Sequence, residues 1–467
     1  MAQDPKHKAL EINLDKSIYG AFAEIGAGQE VVRHFFRAGG AAGTIAKTMS
    51  AYDMKFSDDI YGKEPSGRYV CESRLVKMLE HEYSLMLERL DSRAADTRFF
   101  AFADTVAAKS YSGKGESHGW MGLRFQHDPK AAASEVIIHV KMLDIENVQQ
   151  QEALGVIGVN LVYAAYKHSE DRERFVTELM DGLTTERLEI DMIRVSGPAF
   201  SKIDSRLLSL ELVKRNYCQA VMFAADGKVL QASDALYKKN IILCRGSYRP
   251  PTLVNLDMLE RGQACFQKLL GSDKGEILVL PEISMNNLRD RGEVDNEDFL
   301  ARVDLLTVLG RPVLITNYQD FGDLNDFIST YNRAQVAFVM GYYSVSELFD
   351  ETKYLNVKDG ILGSLGRLTG HNTRILVYPS KEDDGEGVNT VDSLKKNAAT
   401  DTLVEYLRKT GKLHDITDYS KQHFSIWSRV VLKMIQEGQP GWESMVPPSV
   451  AKRVKEKCLF GYPCETN

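Results

Sequence analysis

The six cysteines, Cys71, Cys218, Cys244, Cys265, Cys458 and Cys464, form no C-x-x-C pair. Their scatter argues against zinc ribbons and against a secreted disulfide framework, and it fits a reducing, cytoplasmic setting. Basic charge is also short: Lys and Arg number 58 against 65 Asp and Glu, a formal net charge of −7. Neutralising phosphates along a nucleic acid takes a concentration of cations that this balance lacks, so no nucleic-acid partner is expected. Long hydrophobic runs are missing too. The most apolar stretch, Ala153–Tyr166, is too short to span a bilayer and contains Asn160, so it reads as a buried helix and no membrane partner is expected. Met1–Asn13 is polar where a signal peptide carries its hydrophobic core. There is no repeat at solenoid spacing, no low-complexity tract and no G-x-S-x-G elbow to support a hydrolase.

What the chain does have is rhythm. Eight short β-branched runs, Val136–Lys141, Leu188–Val195, Gln219–Phe223, Asn240–Cys244, Glu276–Pro281, Pro312–Thr316, Gln335–Met340 and Thr373–Tyr378, alternate with amphipathic sequence. Eight strand–helix units predict an α/β protein, either a (β/α)8 barrel or an open doubly wound sheet. The third connection, Ala224–Lys239, is short and carries the turn Asp226–Gly227, as a hairpin would, and a hairpin there would make the sheet mixed.

Texture divides the 467 residues into three parts. Residues 1–130 read as a mixed α/β accessory domain, with a helix at Val70–Leu90, a hydrophobic segment at Arg98–Ala107, a polar loop at Ser110–Ser117 and a strand at Gly119–Phe125. Residues 131–380 carry the alternating core, whose first crossover, Asp144 to Arg187, holds two helices. A hydrophilic break at Ser380–Thr390 precedes a helical segment over 391–467, with helices at Asp392–Thr410, Phe424–Glu437 and Pro448–Lys457.

Ligands of such sheets bind where loops leave the carboxyl ends of the strands. Those positions hold Arg194, Arg245, Arg249, Glu282, Asn286, Asn317 and Gly341. Guanidinium groups bind phosphate or carboxylate in bidentate fashion, so Arg194, Arg245 and Arg249, with Asn317 and Gly341, are candidates for an anionic ligand. Glu282 and Asn286 are the catalytic candidates, Glu282 as a general base or a ligand to a divalent metal such as Mg2+. The bland alternative is that the arginines pair with loop carboxylates and Glu282 caps a helix.

At the amino terminus, Gly39-Gly-Ala-Ala-Gly-Thr-Ile-Ala-Lys-Thr48 approaches a phosphate loop but has Ala46 where glycine must precede the lysine. Lys47, and Arg37 between two glycine-rich turns at Gly26–Glu30 and Gly39–Gly43, are candidates for anion binding; tight packing against the small residues is the competing reading. His118, Trp120, His127, Asp128 and His139 match no metal spacing, so a structural role is expected and no metal ligand is assigned. Glu189 and Asp191 read as the outward, polar face of a strand.

The stretches Gly20-Ala-Phe-Ala-Glu-Ile-Gly-Ala-Gly-Gln-Glu30, Arg37-Ala-Gly-Gly-Ala-Ala-Gly-Thr-Ile-Ala-Lys47, Gly155-Val-Ile-Gly-Val-Asn-Leu-Val-Tyr163, Ser284-Met-Asn-Asn-Leu288 and Gly360-Ile-Leu-Gly-Ser-Leu-Gly-Arg-Leu368 resemble a widespread, poorly characterised bacterial family of similar length. Its members often carry the label nicotinamide or nicotinate nucleotide adenylyltransferase, and sometimes TonB-dependent receptor. The resemblance implies nucleotide chemistry. The chain departs from the adenylyltransferase H-x-G-H and I-S-x-T-x-x-R motifs, keeping only Gly370-His371 and Ile328-Ser-Thr-Tyr-Asn-Arg333. The receptor label would require an outer-membrane barrel that this length and pattern do not supply. The expectation is therefore a cytoplasmic protein that binds a phosphorylated or nucleotide-like small molecule, in the manner of a nucleotide-metabolism transferase. The alternative is a self-assembling scaffold, a homo-oligomer joined through Trp427, Val430, Val431 and Met434 at helical spacing.

Overall fold

A computed structural model describes residues 3–109, 116–271, 275–290, 292–355, 357–370, 372–382, 385, 387–394 and 397–464. His371, Asp383, Asp384, Glu386 and positions 110–115 of the expected Ser110–Ser117 loop lie outside them. The chain folds as two compact units, Met1–Gln219 and Ala220–Asn467.

The first unit runs α1 (Pro5–Leu14), β1 (Ile18–Gly26), α2 (Val31–Ala38), β2 (Ile45–Ala51), α3 (Met54–Tyr61), α4 (Glu72–Arg89), β3 (Arg98–Ala107), β4 (His118–Phe125), β5 (Ser134–Met142), α5 (Asn147–Lys167), α6 (Arg172–Leu179), β6 (Leu188–Ser196) and α7 (Ser205–Lys214). Its sheet has the order β2-β1-β3-β4-β5-β6. β1 pairs in parallel with β2 and β3, and the remaining pairs are antiparallel.

Helices cover both faces. On α4, Leu75, Met78, Leu79, Tyr83 and Met86 recur every three or four residues and are buried, which is the stripe a surface helix needs to dock on a sheet. Leu75 and Leu79 reach Gly122 of β4, where any side chain would collide with them. On the other face Phe22 of β1 packs its ring 5.1 Å from Phe35 of α2. Almost every position of α5 from Ala153 to Tyr166 is buried, as expected for a core helix. Gly158 is what lets α2 approach it: a Cβ there would lie 2.3 Å from Val31 Cγ2. α1 is tied down by Lys8, fully buried, whose Nζ lies 2.5 Å from Glu178, 2.7 Å from Asp181 and 2.8 Å from Asn160.

The second unit contains β7 (Ala220–Phe223), β8 (Val229–Leu230), α8 (Ala232–Leu236), β9 (Asn240–Arg245), α9 (Leu253–Leu270), β10 (Ile277–Ser284), α10 (Met285–Leu288), the small hairpin β11 (Arg289–Asp290) and β12 (Glu293–Val294), and α11 (Asn296–Val308). β13 (Val313–Thr316), α12 (Phe321–Tyr331), β14 (Val336–Gly341), α13 (Tyr342–Leu348), α14 (Gly360–Thr369) and β15 (Thr373–Tyr378) follow. A second small hairpin, β16 (Ser380–Lys381) with β17 (Val388–Asn389), then α15 (Ala398–Lys409), β18 (Leu413–Asp415), α16 (Ser428–Gln436) and α17 (Pro448–Lys457) complete it. The sheet order is β18-β15-β14-β9-β10-β13-β7-β8. Strands from β18 through β13 are parallel, and β7 and β8 run as an antiparallel hairpin at one edge.

All eight expected runs are strands, and the architecture is α/β with open sheets. Among the described residues no barrel closes: β8 and β18 are free edges of an open sheet. The first two runs, now β5 and β6, belong to the first unit's sheet, so the boundary expected near residue 130 falls between two hydrogen-bonded strands. Ala224–Lys239 does contain a hairpin. The carboxyl-terminal segment is integral to the second unit, where Val431, Ile435, Trp442, Val450 and Val454 pack around Leu305 of α11. Cys458 and Cys464 form a disulfide that their spacing did not reveal, and the other four cysteines are unbridged. Among the described residues no helix is long and apolar enough to cross a membrane.

Candidate functional site

In the first unit the two adjacent parallel strands β1 and β3 end together, at Gly26 and Ala107. Gly26 takes φ 78°, a left-handed turn that only glycine adopts without strain, and the chain passes through Ala27–Glu30 into α2. A cavity of about 760 Å3 opens at this end. It is lined by the turn including Glu30, by Arg33 of α2, by Tyr52 after β2, by Val106–Lys109, and by Asn147 and Gln151 of α5. Arg33 donates to Glu30 at 2.9 Å and remains half exposed, and the Tyr52 ring is 81% exposed.

Beneath the cavity lie two carboxyl groups that no sequence motif announced. Glu24 of β1 and Asp104 of β3 are register neighbours, and both are buried. Glu24 accepts from the amides of Val31 at 2.8 Å and Val32 at 3.4 Å, so the first turn of α2 is capped by the protein's own side chain. Both oxygens of Asp104 are buried without a well-formed hydrogen bond, packed against Gly28. Burial, opposed by the two amides, pushes Glu24 up to about 7. Burial and the neighbouring Glu24 together push Asp104 well above the usual carboxyl range.

The other face of the same sheet end carries a second polar group. His118 of β4 pairs with Lys141 of β5, and Trp120 with His139. His139 Nδ1 lies 2.5 Å from Asp191 Oδ1 of β6, and its Nε2 lies 3.0 Å from His118 Nδ1. Lys141 Nζ stands 3.1 Å from both Asp191 and Glu189. Asp191 and Met192 both stand opposite His139, because the β5–β6 register slips by one residue there, a β-bulge. Asp191 is 3% exposed, so the face read from alternation as outward is covered. Burial alone would raise its carboxyl, but the charges and hydrogen bonds of His139 and Lys141 outweigh burial and hold it below the usual range.

The residues chosen from sequence are divided between the units. Lys47 stands on β2 and Arg194 on β6, the two edges of one sheet and about 24 Å apart at the usual strand spacing. Lys47 pairs with Glu82 at 2.6 Å and Arg194 with Glu72 at 2.5 Å, both carboxylates from α4. Arg37 lies exposed in the last turn of α2, and the Gly39–Gly43 segment forms a turn leading to β2 that lies against the end of α1, where Asn13 Nδ2 donates to the Gly39 carbonyl at 2.8 Å.

Arg245, Glu282, Asn317 and Gly341 do gather, at the carboxyl ends of four neighbouring parallel strands of the second unit, where the strand order reverses between β9 and β14. Arg245 is occupied there: Nε and Nη2 donate to Glu282 at 2.6 and 3.1 Å, and Nη2 and Nη1 donate to the carbonyls of Tyr318 and Gln319. Glu282 is fully buried inside β10 and also accepts from Thr316 Oγ1 at 2.5 Å. Burial raises its carboxyl, with Arg245 and Thr316 acting against it. Asn286 is exposed on α10, and a Cβ added at Gly341 would meet open space. Arg249 donates to Asp298 at 2.6 Å and borders a different cavity, of about 590 Å3, between α11 and the segment Lys457–Gly461. Among the described residues no three His, Cys, Asp or Glu side chains are grouped to hold a metal ion.

No protein-family model and no curated protein sequence matches the chain. Solved structures similar to part of it include the competence/damage-inducible protein CihA from Agrobacterium tumefaciens, at 16% identity over 35% of this chain and 95% of that chain, with a TM-score of 0.26. The competence or damage-inducible protein from Enterobacter asburiae aligns at 13% identity over 35% and 96% of the respective chains, TM-score 0.25. A competence-damaged protein (CinA) superfamily member from Klebsiella pneumoniae aligns at 13% identity over 38% and 99%, TM-score 0.26.

Proposed function

We propose that the first unit binds a phosphorylated or nucleotide-like small molecule in the cavity at the carboxyl ends of β1 and β3. The observation that carries this reading is the composition of the cavity wall: two cations, Arg33 and Lys109, an exposed aromatic ring, Tyr52, and three amide side chains, Gln29, Asn147 and Gln151. Cations suit a phosphate, a ring suits the face of a base, and amides suit its polar edge. The α2 amides are already committed to Glu24, so the phosphate is held by side chains in this reading. Glu24 and Asp104 supply a buried acid whose affinity for its proton is suited to acid–base work near neutral pH.

Titration calorimetry against nucleoside monophosphates, sugar phosphates and the matching nucleosides tests this. Arg33→Ala should weaken phosphate-bearing compounds about tenfold, the scale of one lost charge-assisted contact, and leave nucleosides unchanged. Tyr52→Ala should weaken nucleosides and nucleotides alike. If no phosphorylated compound binds, the reading fails. A self-association reading retains one observation, the half-exposed Trp427 just before α16 and Val430 within it, and light scattering over a concentration series decides it.

A further inference from the structure

In the second unit α17 ends at Cys458, and a short loop brings the chain back to Cys464, where the Cys458–Cys464 disulfide closes it. The loop is costly to its backbone. Cys458 takes φ 51° and Phe460 φ 57°, left-handed values that a residue with a side chain adopts only under constraint, and Gly461 follows at φ 80°. Little besides the disulfide supplies that constraint. The Tyr462 amide donates to the Leu459 carbonyl inside the loop itself, and among the described residues no hydrogen bond joins 459–463 to α11 or α16. Leu459, Phe460 and Tyr462 rest on the cluster around Leu305 and Trp442, with the Tyr462 ring 6.0 Å from that of Trp442. All three remain partly exposed, whereas Trp442 beneath them is 1% exposed. The loop also forms one wall of the cavity of about 590 Å3, in which Leu459 and Phe460 share the lining with Leu300, Ala301 and Asp304 of α11.

We propose that the Cys458–Cys464 disulfide is a redox-operated clasp: a dithiol reductant opens it, residues 459–463 leave their seat beside Trp442, and the cavity loses one wall. Cys458 is exposed and Cys464 half buried, so the attack falls on Cys458 Sγ. One thiolate of the dithiol bonds to that sulfur, the Sγ–Sγ bond breaks, and Cys464 leaves as a thiolate that takes up a proton. The second sulfur of the dithiol then displaces Cys458 from the mixed disulfide. The dithiol is oxidised by two electrons to its own disulfide, and the protein gains two thiols with the two protons the dithiol gives up. A disulfide oxidant reverses the exchange and closes the loop again. The bond spans a separation of six residues, and a loop this short restricts the unfolded chain less than a long one does. The other four cysteines are unbridged, so reduction cuts no further cross-link. Opening is therefore local, while the sheet of the second unit keeps its core.

The rival is a permanent staple, with the loop held in place by its apolar contacts whether or not the bond is made. Hydrogen-exchange mass spectrometry of the full chain, oxidised and after dithiothreitol, separates the two, with alkylation and intact mass reporting the thiol state. In the reduced protein the amides between Leu459 and Cys464 should exchange about tenfold faster or more, and the strands of both sheets should keep their oxidised rates. Cys458→Ser and Cys464→Ser together should show the fast exchange without reductant and no response to it. Three results overturn the proposal. One is exchange of the loop within about twofold of the oxidised rate. Another is a bond that dithiothreitol reduces in the denatured chain but leaves intact in the folded one. The third is loss of protection throughout the second unit's sheet, which would make the bond a staple of the whole unit. Should the double variant misfold, the reduced wild-type protein alone decides.

Discussion

Glu24 and Asp104 stand side by side on adjacent parallel strands; Glu24 accepts from two backbone amides, whereas both Asp104 oxygens are buried without a well-formed hydrogen bond. The Glu24 carboxyl lies at about 7 in the fold against an ordinary 4.5, so its contribution to stability is complete below about pH 4.5 and is lost as pH rises to about 7. A shift of that size corresponds to about 3 kcal/mol across the window. Asp104→Asn removes the neighbouring carboxyl and should flatten this slope, raising the melting temperature at pH 8 while leaving it nearly unchanged at pH 4.5. Parallel melting curves for the two proteins across pH would show that the pair does not share a proton load.

Gly158 is the contact point of α2 and α5. Gly158→Ala would force a methyl group onto Val31, whose amide donates to Glu24, and should destabilise the first unit by about 1–3 kcal/mol. Urea denaturation checks this; a loss below about 0.5 kcal/mol would mean that the two helices can move apart.

Lys8 neutralises two carboxylates from within the protein. Lys8→Ala leaves Glu178 and Asp181 facing each other over a hole and should cost about 3 kcal/mol. The measurement is the first unfolding transition in denaturant, and an unshifted midpoint would show that α1 contributes little to the unit.

Arg245 is the sole cation recorded against Glu282 among the described residues, so Arg245→Ala strands a buried carboxylate. The expected result is a loss of about 3–5 kcal/mol in the second unit. Adding Glu282→Gln should recover part of it. A variant that melts normally and loses only ligand affinity would return Arg245 to the role first assigned from its place after a strand.

Local pattern revealed the elements well and their partners poorly. Runs such as Val136–Lys141 and Asn240–Cys244 both became strands because β-branched residues favour the pleat, yet nothing in either run states which sheet it joins. β1, Ile18–Gly26, escaped notice because its small residues, Gly20, Ala21 and Ala23, resemble a turn region more than a strand. β2 escaped because an edge strand exposes every second residue, here Ala46, Thr48 and Ser50. The carboxyl-end rule did find the convergence of Arg245, Glu282 and Asn317. It could not show that Arg245 spends its donors on Glu282 and on two carbonyls, since those contacts span 37 to 74 positions. The histidines were visible as a sequence cluster, but His139 meets Asp191 only across a strand pair 52 residues apart.

The extra residue in β6 also divides that strand into two halves with separate phases. Ahead of it, Leu188 and Ile190 oppose Met142 and Val140; beyond it, Ile193 and Val195 oppose Ile138 and Val136. All four aliphatic side chains therefore reach the core, although their spacing along the chain is uneven. A relative that lacked one residue here would have to choose between keeping its aliphatic positions inward and keeping a carboxylate opposite the histidine. In an alignment of such relatives, a one-column gap at 191–192 would thus be expected to coincide with loss of the histidine at 139, and the gap and the substitution would be inherited as a single event.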